Sequence, residues 1–213
     1  MKAMIVPVPP EKSIPPLDEI RPRVRNTVDD DTWGHVLRTA ELARELAQVH
    51  GVDPDRAEAA AFLHDIADHY SERDLAVLVE RYQIELSLIE ARVPALAHGK
   101  VGAEILRHEW GITDEELLDA VRFHISGSTT MGKLAKVLFL ADKLEPERDK
   151  FYRDLDPIRE LARIDLDQAV GKLYAWRVSD LRTRGAPIHE DLGEAINAIT
   201  ERTRASASPL KDQ

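Results

Sequence analysis

Four histidines and two aspartates, His35, His64, Asp65, His98, His124 and Asp142, are the side chains of this sequence that could do chemistry together. Imidazole and carboxylate are ligands for iron, manganese, zinc or magnesium rather than for copper(I) or an iron–sulfur cluster. The chain has no cysteine, so a thiolate metal site and a disulfide framework are both excluded. Any bound metal must then be held by His, Asp and Glu. His64 and Asp65 are adjacent, and the other four stand well apart in the chain, so only folding can bring them together.

The elements that must position them read as helices. Asp29, Asp30 and Asp31 precede a periodic run from Thr32 to about His50, closed by Gly51; acidic residues there suit the positive end of the helix dipole. Asp53-Pro54 opens a second helix expected to run to about His69, with Asp as cap and Pro in the first turn. Ser71 with Asp74, and Thr113 with Glu116, have the spacing of capping boxes. Further helices are expected near Ala95–Trp110, Met131–Leu144, Pro157–Leu161, Leu166–Arg184 and Glu190–Arg204. There is no period-two alternation or hairpin signal for a sheet. The reading is a single all-α helical domain over residues 21–204, with a proline-rich extension over 1–20 and a flexible tail over 205–213.

Helical periodicity places the candidates on or beside apolar stripes. His64 shares a face with Ala57, Ala60 and Ala61, and Asp65 is turned by about a hundred degrees from it. His98 aligns with Val101, Gly102 and Ile105, His124 with Leu117 and Val121, and Asp142 with Met131, Ala135 and Leu138. His35 lies beside a stripe of Trp33, Val36, Leu37, Ala40 and Ala43, in line with Leu42, Leu46 and Val49. Asp142 ends the run Val137-Leu138-Phe139-Leu140-Ala141. A carboxylate there costs several kcal/mol, on the order of a buried unpaired charge, unless it is paired or holds a metal. Lys133, Lys136 and Lys143 are expected on the other side of that helix, leaving Asp142 without a local partner. Taken singly, each histidine has an ordinary reading as a hydrogen-bonded core residue. Taken together, one dinuclear metal site satisfies all six groups at once. His50, His69, His108 and His189 lie at helix ends or among polar residues and read as solvent-facing.

The formal net charge of −10 disfavours binding to a nucleic-acid duplex. It leaves room for a small anionic substrate, because bound divalent cations can dominate the local field. No apolar run is long enough to span a bilayer, and the proline-broken start lacks a signal-peptide pattern. The expectation is a cytoplasmic protein with no membrane partner. Tyr174 and Trp176 could stack on a nucleobase, close the core or form a homodimer contact, and the sequence leaves these options open.

The ordered series of His35, His64-Asp65, His98, His124 and Asp142 resembles the HD-domain superfamily of metal-dependent phosphohydrolases. The segments Ala59-Ala60-Ala61-Phe62-Leu63-His64-Asp65-Ile66-Ala67, His98-Gly99-Lys100-Val101-Gly102-Ala103 and Leu140-Ala141-Asp142-Lys143-Leu144-Glu145-Pro146-Glu147-Arg148 are similar to its YqeK-type branch. That branch comprises the symmetrical bis(5'-nucleosyl)-tetraphosphatases, which split diadenosine tetraphosphate into two ADP. The resemblance implies an HD-type helical bundle and a nucleotide substrate. It implies two divalent metals held by His35, His64, Asp65, His98, His124 and Asp142, iron first, with manganese or another transition metal as alternatives. It further implies that Asp65 bridges the metals, that a metal-bridging hydroxide attacks phosphorus, and that Arg148 approaches a phosphate. Three positions depart from the branch's pattern. Thr32 stands for an arginine, Asp68 for a lysine and Ile125 for a threonine. Asp68 is expected one turn beyond His64, either orienting that ring or repelling a polyphosphate, with His69 as a partial substitute. The competing readings are an HD-type hydrolase of another nucleotide, such as a deoxynucleotide or cyclic dinucleotide, and a metal-stabilised regulatory protein without turnover.

Overall fold

A computed structural model describes residues 14–186 and Ile188. The proline-rich start up to Ser13, the helix expected over Glu190–Arg204, His189 and the tail lie outside the described residues. Among those described there is no strand, as expected for an all-α chain. The helices are α1 (Leu17–Arg25), α2 (Asp30–His50), α3 (Pro54–Leu63), α4 (Glu72–Arg81), α5 (Leu88–Arg92), α6 (His98–His108), α7 (Glu115–Phe123), α8 (Lys133–Leu144), α9 (Asp156–Ala162) and α10 (Leu166–Thr183). Two tight 3₁₀ turns, Pro94–Ala97 and Pro146–Lys150, lead into α6 and out of α8.

The helices start where short polar side chains can take up the unpaired amides of a first turn. Asp29 accepts from the Thr32 amide to open α2, and Gly51, left-handed at φ 68°, closes it. Asp53 accepts from Asp55 and Arg56 ahead of Pro54. Ser71 accepts from Asp74, and Asp165 from Gln168. The expected box at Thr113 is displaced by one residue. Asp114 is the cap, bonded to the amides of Glu116 and Leu117, because its carboxylate can also receive both bonds from the Arg56 guanidinium at 2.7 Å, which a threonine cannot.

α3 lies at the centre, packed by α1, α2, α7 and α8. Its residues from Ala57 to Leu63 are all buried, and the run of alanines lets neighbouring helices come close. α8 is nearly as enclosed, from Val137 to Asp142. Burying a leucine such as Leu117 or Leu138, both fully enclosed, stabilises by about 1.5–3 kcal/mol. α6 packs on α7. A side chain at Gly99 would meet the Val121 and Arg122 carbonyls at 3.0 and 3.1 Å, so only glycine permits that approach. α10 lies against α8 and α9.

The first helix begins at Leu17, within the stretch assigned to the extension. Ile20 and Val24 are buried against α3, and this apolar pair is what draws the segment onto the domain. The stripe on α2 is narrower than its sequence suggests: Leu37 is 44% and Val49 54% exposed, because α2 is covered by α3 and α8 along one side only. No helix among the described residues is long and apolar enough to cross a membrane.

Asp114 joins the start of α7 to α3, so Asp114→Ala removes a cap and also both Arg56–Asp114 bonds, leaving the guanidinium only the exposed Glu116 carboxylate. We expect a loss of about 2–3 kcal/mol in urea unfolding, with Asp114→Asn, which keeps the cap oxygen, losing about half as much. No loss in Asp114→Asn would show that the Arg56 pair contributes nothing, and equal losses in the two variants would show that the cap contributes nothing.

Candidate metal centre

The His64-Asp65 pair lies just past a helix, not inside one. α3 stops at Leu63, and residues 64–69 follow in tight turns, with the Ile66 amide on Leu63 and the Asp68 amide on Asp65. The expectation of a helix reaching His69 is thereby corrected. The cause is local: the His64 Nδ1–H donates to the Ala61 carbonyl at 2.7 Å, taking the acceptor that the next helical amide would need. Leaving the helix lets two neighbouring side chains converge, and the Asp65 Oδ2 comes 3.0 Å from His64 Nε2.

The same arrangement recurs twice. His124 caps the end of α7 with Nδ1 2.7 Å from the Val121 carbonyl. His98 sits where the 3₁₀ turn meets α6, with Nδ1 2.8 Å from the Ala95 carbonyl. Each ring thus donates through Nδ1 to the oxygen three residues back and presents an Nε2 lone pair to the centre. His35, on α2, is fixed from its outer side differently, its Nδ1 lying 3.2 Å from the Glu145 carboxylate. Fixing the outer nitrogen of an imidazole in this way sets tautomer and direction for a metal-facing inner nitrogen.

The inner atoms converge on Asp65. Its Oδ1 is 3.4 Å from His98 Nε2 and 3.3 Å from His124 Nε2, and its Oδ2 is 3.8 Å from His35 Nε2. His98 and His124 bring their Nε2 atoms within 3.1 Å of each other. With both outer nitrogens protonated, those two atoms are lone pair against lone pair. His64 is fully buried, and its Nε2 has no hydrogen-bond partner. A buried acceptor without a donor costs about 1–3 kcal/mol. Among the described residues, two sets of ligand atoms lie close enough to hold a cation: His35, His64 and Asp142, and His64, Asp65 and His124. His98 adjoins the second set through Asp65 and His124. The donor set therefore fits divalent metal ions.

Asp142 is buried, as its run of apolar neighbours implies, but it is not alone. Lys143 turns back to ion-pair with its Oδ2, and Arg148 Nη2 lies 2.6 Å from its Oδ1. The expectation that Asp142 lacks a local partner is corrected: α8 ends at Leu144, so Lys143 is in the last turn and its long stem can fold around to the carboxylate. His35 Nε2 is 3.2 Å from Asp142 and 3.1 Å from Arg148 Nη2. Burial alone would lower the His35 pKa, but hydrogen bonds to Asp142 and Glu145 carry it up to about 9. Burial pushes His124 down to about 4 and Lys143 down to about 8. Burial opposes ionisation of Asp65 and Asp142; the imidazoles around Asp65, and Lys143, His35 and Arg148 around Asp142, outweigh it and hold both carboxyls well below the usual range.

Five of the six residues line one cleft of about 410 Å³, and His64 lies buried beneath them. The three departures, Thr32, Asp68 and Ile125, line the same cleft. Asp68 faces His98 rather than His64, its Oδ1 3.7 Å from His98 Nδ1, because the turns after α3 swing it away from a helical position. His69 is exposed, its ring tilted against that of Tyr70. Tyr174 is fully buried against Phe139 and serves the core. Sequence reasoning missed Glu145, which is bonded to His35 and, at 2.7 Å, to Arg38. It also missed Arg177, which lines the cleft from α10. Glu145 stands within the quoted Leu140–Arg148 segment, but nothing in its spacing points to α2.

Comparison with known proteins agrees with this geometry. Residues 32–147 match the HD domain family. The chain is 32% identical to a protein of Bacillus subtilis (strain 168) named bis(5'-nucleosyl)-tetraphosphatase, symmetrical, over 79% of this chain and 89% of that one. A protein of the same name from Staphylococcus aureus is also 32% identical, over 85% of this chain and 93% of its own length. A solved structure from Clostridium acetobutylicum, described as an HD superfamily hydrolase involved in NAD metabolism, superposes with a TM-score of 0.81 at 27% identity, covering 87% of this chain and 97% of that one. With the histidine–aspartate constellation gathered at one cleft and the match spanning the helices that carry it, this chain belongs to the HD domain family of hydrolases.

Proposed function

We propose that this chain hydrolyses a dinucleoside tetraphosphate symmetrically to two nucleoside diphosphates, diadenosine tetraphosphate to two ADP. The observation that carries the reading is the convergence of four imidazole Nε2 atoms on the Asp65 carboxylate, in a chain that matches symmetrical tetraphosphatases over most of its length. His35, His64, Asp65, His98, His124 and Asp142 are assigned as ligands of two divalent ions, iron first and manganese next. When bound, such ions supply Lewis acidity and water activation near neutral pH.

The protein's own groups do the rest. Asp65 reaches all four imidazoles and holds the two halves of the centre together. Glu145 locks the His35 ring and is itself held by Arg38. Arg148 and Lys143 place fixed positive charge at the Asp142 side of the cleft, where it offsets charge on phosphate oxygens. A nucleoside diphosphate is a good leaving group, so no dedicated general acid is required. A nucleotide substrate suits an enzyme of the cytoplasm. Asp68, a carboxylate on the cleft wall, favours a second reading in which a less highly charged nucleotide is the substrate.

Anaerobically purified protein supplied with iron(II) or manganese(II) should convert diadenosine tetraphosphate to ADP as the sole nucleotide product, and His64→Ala should abolish this. AMP or ATP among the products, or turnover only of other nucleotides, would move the chain to the second reading. Arg148→Gln should raise KM for the tetraphosphate by roughly tenfold or more, and far less for a singly charged aryl phosphodiester. Equal changes for both would remove Arg148 from phosphate binding.

A further inference from the structure

Among the described residues, the lysine and arginine side chains that line the cleft are Lys143, Arg148 and Arg177. Two of them already have acceptors. Lys143 holds Asp142 and the His124 carbonyl, and Arg148 holds the Asp142 carboxylate and its backbone oxygen. Arg177 has no hydrogen bond or ion pair among the described residues. It is not a freely solvated surface arginine either, since it is partly buried on α10 and burial lowers its pKa from the usual arginine value. A guanidinium removed from bulk water without an acceptor is unfavourable, so an arginine held this way is poised for an anion that arrives from outside.

Its position is fixed by the fold. Tyr174 stands one turn before Arg177, on the same face of α10. The Tyr174 ring is fully buried against Phe139, with ring centroids 5.1 Å apart. It also fills the space over Gly127, where an added Cβ would lie 1.8 Å from the tyrosine hydroxyl. Gly127 is left-handed at φ 73° and lies in the loop that follows His124. α10 is thereby seated on the loop that carries a candidate ligand. On the other flank of Arg177, Trp176 packs edge-on against Tyr152, which also lines the cleft, at 5.1 Å. α10 lies beyond residues 32–147, so this cation comes from outside the segment that matches the family.

We propose that Arg177 is a substrate-binding residue that holds a non-reacting phosphate of the nucleotide, and so selects for a chain of phosphates over a single one. This rests on the nucleotide-hydrolase reading of the cleft. A bidentate arginine–phosphate contact at a partly dry site carries both geometry and charge.

The test is calorimetric binding of ADP and of inorganic phosphate to the metal-loaded full chain, for the wild-type protein, Arg177→Met and Arg177→Lys. Arg177→Met should weaken ADP by roughly tenfold or more and phosphate by less than about twofold, with Arg177→Lys recovering part of the ADP affinity. In turnover, KM should rise far more than kcat falls. Unchanged ADP affinity in Arg177→Met, equal weakening of ADP and phosphate, or no ADP binding by the wild-type protein would overturn the proposal. Arg177→Lys answers the same question if Arg177→Met does not fold. The two readings fail separately: a wild-type protein that binds ADP through Arg177 but does not cleave diadenosine tetraphosphate loses the proposed reaction and keeps this residue's role.

Discussion

The centre depends on one repeated hydrogen bond, an imidazole Nδ1–H donated to the carbonyl three residues earlier. It is made by His64, His98 and His124. Each sits at a helix boundary, where a carbonyl or an amide is otherwise left without its helical partner. The bond satisfies a backbone acceptor, stops or starts the helix, and fixes the ring with its other nitrogen inward. Helix termination and ligand orientation are therefore the same event. That is why an adjacent histidine and aspartate, which a continuous helix would splay by about a hundred degrees, can face one point.

Charge is balanced around that point by pairing rather than by exclusion. The carboxylates of Asp65, Asp142 and Glu145 are enclosed, and each has a cation or an imidazole in contact. Asp142 in particular is held by Lys143 and Arg148. Ionised acids that are buried and paired cost much less than unpaired ones, so the fold can keep a dense cluster of them at the junction of α2, α3 and α8. The same clustering explains the division of labour among the cleft's cations. Lys143 and Arg148 hold Asp142 while lending their charge to that side of the cleft, and Arg177 has no such carboxylate partner among the described residues.

Much of this was legible in the sequence, for reasons that can be traced. Asp53 and Ser71 read correctly as caps because capping is a local interaction. The six metal-centre candidates were found because helical periodicity and order along the chain both pointed inward. The end of α3 was not legible, since the His64 ring's capture of the Ala61 carbonyl overrides a pattern that is otherwise helical. The cap at Asp114 was misread as Thr113 because the deciding partner, Arg56, lies on another helix. Asp142 was expected to stand alone because periodicity places Lys143 off its face and takes no account of the reach of a lysine stem. Glu145 and Arg177 depend on contacts between distant helices, which no local spacing encodes. Thr32, Asp68 and Ile125 were noticed only as departures, and the structure brings all three to the cleft wall.

The most direct test of the central claim is the metal content of anaerobically purified protein beside Asp65→Asn, read by elemental analysis on folded samples. If Asp65 joins the two halves of one centre, the wild-type chain should carry about two divalent ions and Asp65→Asn one or none, with helical content unchanged. Equal metal content in the two proteins, or no bound metal in a folded wild-type chain, would contradict it.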